Sequence, residues 1–130
     1  MSLKYKLYLI GCFTIGAFDA LTAIASRQLN FNSAYFAVGS FIIYCFFGFW
    51  ATKKINLKAG VLTAAVIGFF DSTVGWKISM LLKANTGHIK NDPTVVAWIL
   101  TIIIVTAFAA LCGLIGAAIA KYSTRKKVGG

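Results

Sequence analysis

The sequence predicts an all-α polytopic membrane protein, a single domain over residues 1–130 in which four transmembrane helices form two helical hairpins of like orientation. Three observations lead there. Hydrophobic residues make up 59% of the 130 residues, charged residues only 12%, and mean hydropathy is +0.82, more apolar than a soluble domain of this size. The basic residues cluster at both ends of the chain and at its centre. Finally, the phrase Ile15-Gly16-Ala17-Phe18-Asp19-Ala20 recurs as Ile67-Gly68-Phe69-Phe70-Asp71-Ser72, 52 residues later.

The hydrocarbon core is about 30 Å thick, so a spanning helix needs roughly 20 apolar residues at 1.5 Å each. Four windows satisfy this: Leu7 to Ala25, Ala34 to Thr52, Ala59 to Leu82, and Thr94 to Ala120. The first follows Lys4 and Lys6 and contains Ala23-Ile24-Ala25 before Ser26, the small-x-small form of a signal-peptide cleavage site. Its match to the third window makes a retained span the expectation. The fourth window is longer than a crossing requires and should tilt or project. It is preceded by Asp92-Pro93, an N-cap and first-turn proline pair.

Lys4, Lys6, Lys53, Lys54, Lys58, Lys121, Arg125, Lys126 and Lys127 fall on one side of this arrangement, and Arg27, Lys77, Lys83 and Lys90 toward the other. The positive-inside rule then places both termini and the central loop in the cytoplasm, in the cell membrane, with the basic loops against anionic headgroups. Charge dispersed over short loops presents no nucleic-acid-binding surface. So little chain lies outside the spans that a soluble catalytic domain is excluded. Trp50, Trp76, Trp98, Tyr8, Tyr35 and Tyr122 lie near predicted span ends, as interfacial aromatic belts require.

The repeat divides the chain into units of about 1–56 and 57–130. The second helices align with a larger offset, Phe46-Phe47-Gly48 through Lys53 against Leu114-Ile115-Gly116 through Lys121, which leaves the excess in the Lys83 to Pro93 connector and the longer fourth span. Each unit begins and ends on one side, so the copies are related by an axis along the membrane normal, a parallel repeat of the kind some transporters use. Small residues recur at helical spacing: Cys12, Gly16, Ala20 and Ala23; Ala64, Gly68, Ser72, Gly75 and Ser79; Ala109, Gly113, Gly116 and Ala120. Within lipid, helices associate through such stripes, so Gly16, Gly68, Gly75, Gly113 and Gly116 are the expected packing positions. Asp19 and Asp71, each one position before a stripe residue, should border the seam. The same stripes are available for a homodimer or larger assembly.

Two of the three acidic residues, Asp19 and Asp71, lie inside spans, each 13 residues from the lysine that opens its span and so about 20 Å along the helix. An ionised Asp at a helix centre costs about 2.5 to 3.5 kcal/mol, and an intramembrane ionisable group is a functional candidate by default. Two such groups in contact titrate as a pair sharing a proton and can take up protons or cations. Thr22 and Ser72 neighbour them and join the candidate site. Lys77, six residues after Asp71, points elsewhere on an ideal α-helix and either snorkels or reaches an anionic group. Cys12, Cys45 and Cys112 fall within spans, with no CxxC, and the single histidine, His88, lies in a connector, so no disulfide framework, metal site or cofactor is implied.

The leading expectation is therefore a small transporter or channel with a midmembrane ion or small-molecule site at Asp19 and Asp71. Three alternatives stand beside it. The carboxyls can be structural glue between hairpins. They can serve as acid and base of an intramembrane hydrolase. Or the chain can be a non-catalytic membrane subunit, immunity factor or pore-forming effector acting with a partner.

Overall fold

The computed structural model describes residues 2–82 and 95–128, and these are helical almost throughout. The connector from Lys83 to Pro93, with Lys90, His88 and the Asp92-Pro93 helix start, lies outside the described residues. Helix α1 (Leu3–Gln28) is followed by a 3₁₀ turn (Ser33–Phe36) and α2 (Ala37–Lys54). Next come α3 (Leu57–Phe70), a π-helical turn (Asp71–Gly75) and α4 (Trp76–Leu81), which run on as one interrupted helix, and then α5 (Val95–Val128).

Three of these stretches are long and apolar enough to cross a membrane: Leu3–Gln28, Leu57–Ile78 and Val95–Lys126. The expected second span, Ala34 to Thr52, is realised differently. Its first residues are spent in the 3₁₀ turn, and α2 has 18 residues, Lys53 and Lys54 among them, so it is not one of the three. The last helix runs eight residues beyond the expected end at Ala120, with Lys121 and Arg125 on that extension.

Local signals set the turns. Asn30 takes φ 57°, and Phe31 N–H donates to Ser26 O at 3.0 Å, closing α1 with the left-handed residue and back-bond of a Schellman motif. Asn56 caps α3, its Oδ1 accepting from Ala59 N–H at 2.8 Å. With only Ile55 and Asn56 between them, α2 and α3 must fold back on one another.

The heaviest packing is of α5 against α2 and α3, while α1 lies against α3, the π turn and α4. Glycines make the closest approaches. A Cβ on Gly48 would stand 2.6 Å from Gly113 Cα, and one on Gly113 would overlap Ala64 Cβ. Gly116 is pressed against the backbone of Cys45 and Phe49, and Gly68 against Ala109. Gly16 is different: a Cβ there would find Phe70 at 3.5 Å and Ile78 at 3.9 Å, ordinary contact distances. The glycine of α1 pressed against α3 is instead Gly11, against Ile67. The buried line on α1 accordingly runs Leu7, Gly11, Ile15, Asp19, Ala23, Ser26, one residue off the small-residue stripe for most of its length, and Asp19 sits in the middle of it rather than at its border.

Candidate functional site

Asp19 reaches the interior on an unbroken α-helix, and its side chain is 8% exposed. Asp71 reaches the same place by another route, because its helix changes to π geometry at that residue. The hydroxyls of Ser72 and Thr73 both donate to Phe69 O, at 3.1 and 2.7 Å. Back-bonding of this kind competes with the i to i−4 ladder and loosens it. The carbonyl of Ser72 accepts instead from the indole N–H of Trp98 on α5, at 3.1 Å. Single π turns of this type recur at functional sites because they re-aim side chains that an α-helix would point elsewhere.

The two carboxyl groups end beside one another, within reach of a shared proton. Gly75 makes room for them: a Cβ there would overlap Asp19 Oδ2 and stand 2.9 Å from Asp71 Oδ1. Their surroundings are unequal. Asp71 Oδ2 accepts a short hydrogen bond from the hydroxyl of Tyr44 on α2. Asp19 Oδ2 is buried and, the neighbouring Asp71 carboxyl aside, has no hydrogen-bond partner among the described residues.

Both carboxyls line a cavity of about 340 Å³, with Phe18 and Thr22 of α1, Phe36 of the 3₁₀ turn, Ala37 and Ser40 of α2, Ser72 and Gly75 of the π turn, Trp76, and Thr101 and Val105 of α5. Neither Lys nor Arg is among these residues. One helical turn further along, Ile15, Ile67, Tyr44 and Ala109, each at most 1% exposed, fill the space between the helices and floor the cavity. The cavity therefore occupies the half of the bundle that holds the end of α1 and the start of α5, and these buried side chains separate it from the half nearer Lys53, Lys54 and Lys121.

Of the residues singled out in the sequence, Asp19, Asp71, Ser72, Thr22 and Gly75 come together here. Lys77 does not: it is exposed, outside the cavity lining, with Nζ 5.9 Å from the centre of the Trp98 ring. Gly16, Gly68, Gly113 and Gly116 also lie away from it, the last three at helix contacts. Sequence reasoning missed Tyr44, Ser40, Phe18 and Phe36, and treated Trp76 only as a belt residue. Tyr44 carried a readable signal, since a phenol placed mid-span needs a polar partner. No three His, Cys, Asp or Glu side chains gather into a metal-binding group among the described residues.

Chemically, the arrangement offers a proton- or cation-accepting oxygen on Asp19, a neighbouring carboxyl positioned by Tyr44, and space for an occupant larger than a proton. Comparison of the chain with protein-family models, with curated proteins and with solved structures found no match.

Proposed function

We propose that this protein is a small integral membrane carrier in which Asp19 and Asp71 form a proton- and cation-binding site reached from one side of the membrane at a time. The observation that carries the reading is the convergence of the two carboxyls of the recurring phrase on one cavity. Two ionised aspartates at helix centres would cost roughly 5 to 7 kcal/mol, so an arriving proton or cation relieves a large penalty. The solid layer of Ile15, Tyr44, Ile67 and Ala109 beneath the cavity favours a carrier over an open channel.

In this reading α2 is the fourth crossing, with Lys53 and Lys54 at its cytoplasmic end, so the chain crosses four times as two like-oriented hairpins with both termini in the cytoplasm of a cell-membrane protein. Reporter fusions at the two termini test this directly, and termini on opposite sides would refute it. Four helices make a thin wall around a pathway. The apolar stretch of α5 is only 6% buried, against 28% and 39% for the other two spanning stretches, which favours a homodimer through that helix.

Flux provides the test of function. Purified protein in liposomes should dissipate or exploit a pH gradient, read with an entrapped pH dye, and Asp19→Asn and Asp71→Asn should each abolish this while the protein remains folded. Undiminished flux in both variants, or no flux in the parent with mere loss of thermal stability in the variants, would leave the carboxyls as glue between helices.

A further inference from the structure

Resting on the carrier reading, we infer that the cargo is a monovalent organic cation with an apolar or aromatic body, bound by its charge to Asp19 and by its body to the aromatic wall of the cavity, in competition with a proton. The cavity is too large for a proton site alone. At about 340 Å³ it falls at the lower end of the range for small-molecule pockets.

Its chemistry is that of a cation receptor. Thr22, Ser72 and Thr101 direct their hydroxyl protons to Asp19 O, Phe69 O and Ala97 O of their own helices, at 3.1, 3.1 and 2.8 Å, and so turn only lone pairs toward an occupant. Among the described residues no Lys or Arg lines it, so an anion finds no counter-charge from them. A calcium or magnesium ion needs six or more oxygens in a close shell, whereas a good part of this wall is hydrocarbon. Phe18, Phe36 and Trp76 supply rings whose faces attract a desolvated ammonium or phosphonium, and Trp76 is braced edge-on by Trp98, with ring centres 6.4 Å apart and planes at 81°. The Asp19 carboxyl, which lines the cavity beside this wall, is the anchor. Tyr44 holds Asp71 in place next to it, and a carboxyl pair that shares one proton leaves a single charge for which a proton and a cation contend.

Calorimetric titration of the purified full-length protein tests this, with tetraphenylphosphonium and tetraethylammonium as probes and with sodium, potassium and benzoate as counterparts. The quaternary cations should bind, release close to one proton each, and bind about tenfold more weakly for each pH unit once Asp19 is protonated. Asp19→Asn should lose binding. Trp76→Leu, which keeps both carboxyls, should weaken tetraphenylphosphonium about tenfold and so serves even if the Asn variant does not fold. Organic-cation binding that neither substitution changes would be partition into apolar surface and would overturn the inference. If carboxyl-dependent proton or sodium flux persists while no quaternary cation binds, this inference falls and the carrier reading stands. If flux is indifferent to the carboxyls, both fall.

Discussion

Gly75→Ala separates the carboxyl pairing from the stability of the helix that presents it. The added methyl would overlap Asp19 Oδ2 and lie 2.9 Å from Asp71 Oδ1 and 3.1 Å from Asp19 Cγ, all closer than ordinary contact. What it meets is side chain, not backbone, so the Asp19 carboxyl can withdraw and the helices need not part. Overpacking of this kind costs about 1 to 3 kcal/mol. Against it stands the gain of about 1 kcal/mol for replacing glycine within a helix. The net loss of stability is then about 0 to 2 kcal/mol, small enough for a folded protein, while the juxtaposition of the two carboxyls is lost. The variant should show nearly the parent's thermal unfolding in detergent and the flux of Asp19→Asn in liposomes. Gly16→Ala is the internal control. Its methyl would meet Phe70 at 3.5 Å and Ile78 at 3.9 Å without crowding, and it should raise stability by about 0.4 to 1 kcal/mol with flux unchanged. Parental flux in Gly75→Ala, or equal damage from the two substitutions, would refute the pairing.

Tyr44→Phe removes the hydroxyl that donates to Asp71 Oδ2 and should cost about 1.5 to 3 kcal/mol, the range for a hydrogen bond to a charged group. Combined with Asp71→Asn in a double-mutant cycle read by chemical unfolding, it should show a coupling of at least about 0.5 kcal/mol, and strict additivity would deny that the two groups interact. Gly48→Ala places a methyl 2.6 Å from Gly113 Cα and 2.7 Å from Gly113 O, backbone atoms that cannot rotate aside. It should lower the unfolding free energy by at least about 1 to 3 kcal/mol, and an unchanged unfolding midpoint would mean that α2 and α5 do not cross there.

Helix content and the presence of two carboxyls within helices apolar enough to cross a membrane were legible in the sequence because both rest on composition and spacing. Burial of the individual faces was not, and the reasons are specific. The α1 stripe was drawn through its smallest residues, Cys12, Gly16, Ala20 and Ala23, yet the interior line runs through Leu7, Gly11, Ile15 and Asp19. A small residue permits close contact without requiring it, and the apolar bulk of Ile15 and Ile67 decides which face turns inward. On the other repeat, projection at 100° per residue fails between Asp71 and Gly75, where the helix is π. Ser72 and Thr73 in succession followed by Gly75 was the local cue, since two adjacent back-bonding hydroxyls weaken the ladder just before a residue of low helix propensity.

The departure from repeat symmetry falls where the chemistry would need it. Two identical phrases on two identical helices would present two equivalent carboxyls, each competing for the same proton and the same cargo. Here α1 stays α-helical through Asp19, whereas Asp71 opens a π turn whose Ser72 carbonyl is held by Trp98 and whose carboxyl is held by Tyr44. One carboxyl is thereby fixed by its neighbours, and among the described residues the other has only that carboxyl for company. A carrier that exchanges one proton for one cation is served by that inequality, because one member of a pair that shares a proton is held in place while the other meets the occupant. Tyr44 has no counterpart in the second helix of the other repeat, where the alignment that pairs Gly48 with Gly116 puts Cys112 at its position. The duplicated phrase therefore provides the pair, and a single unduplicated phenol distinguishes its members.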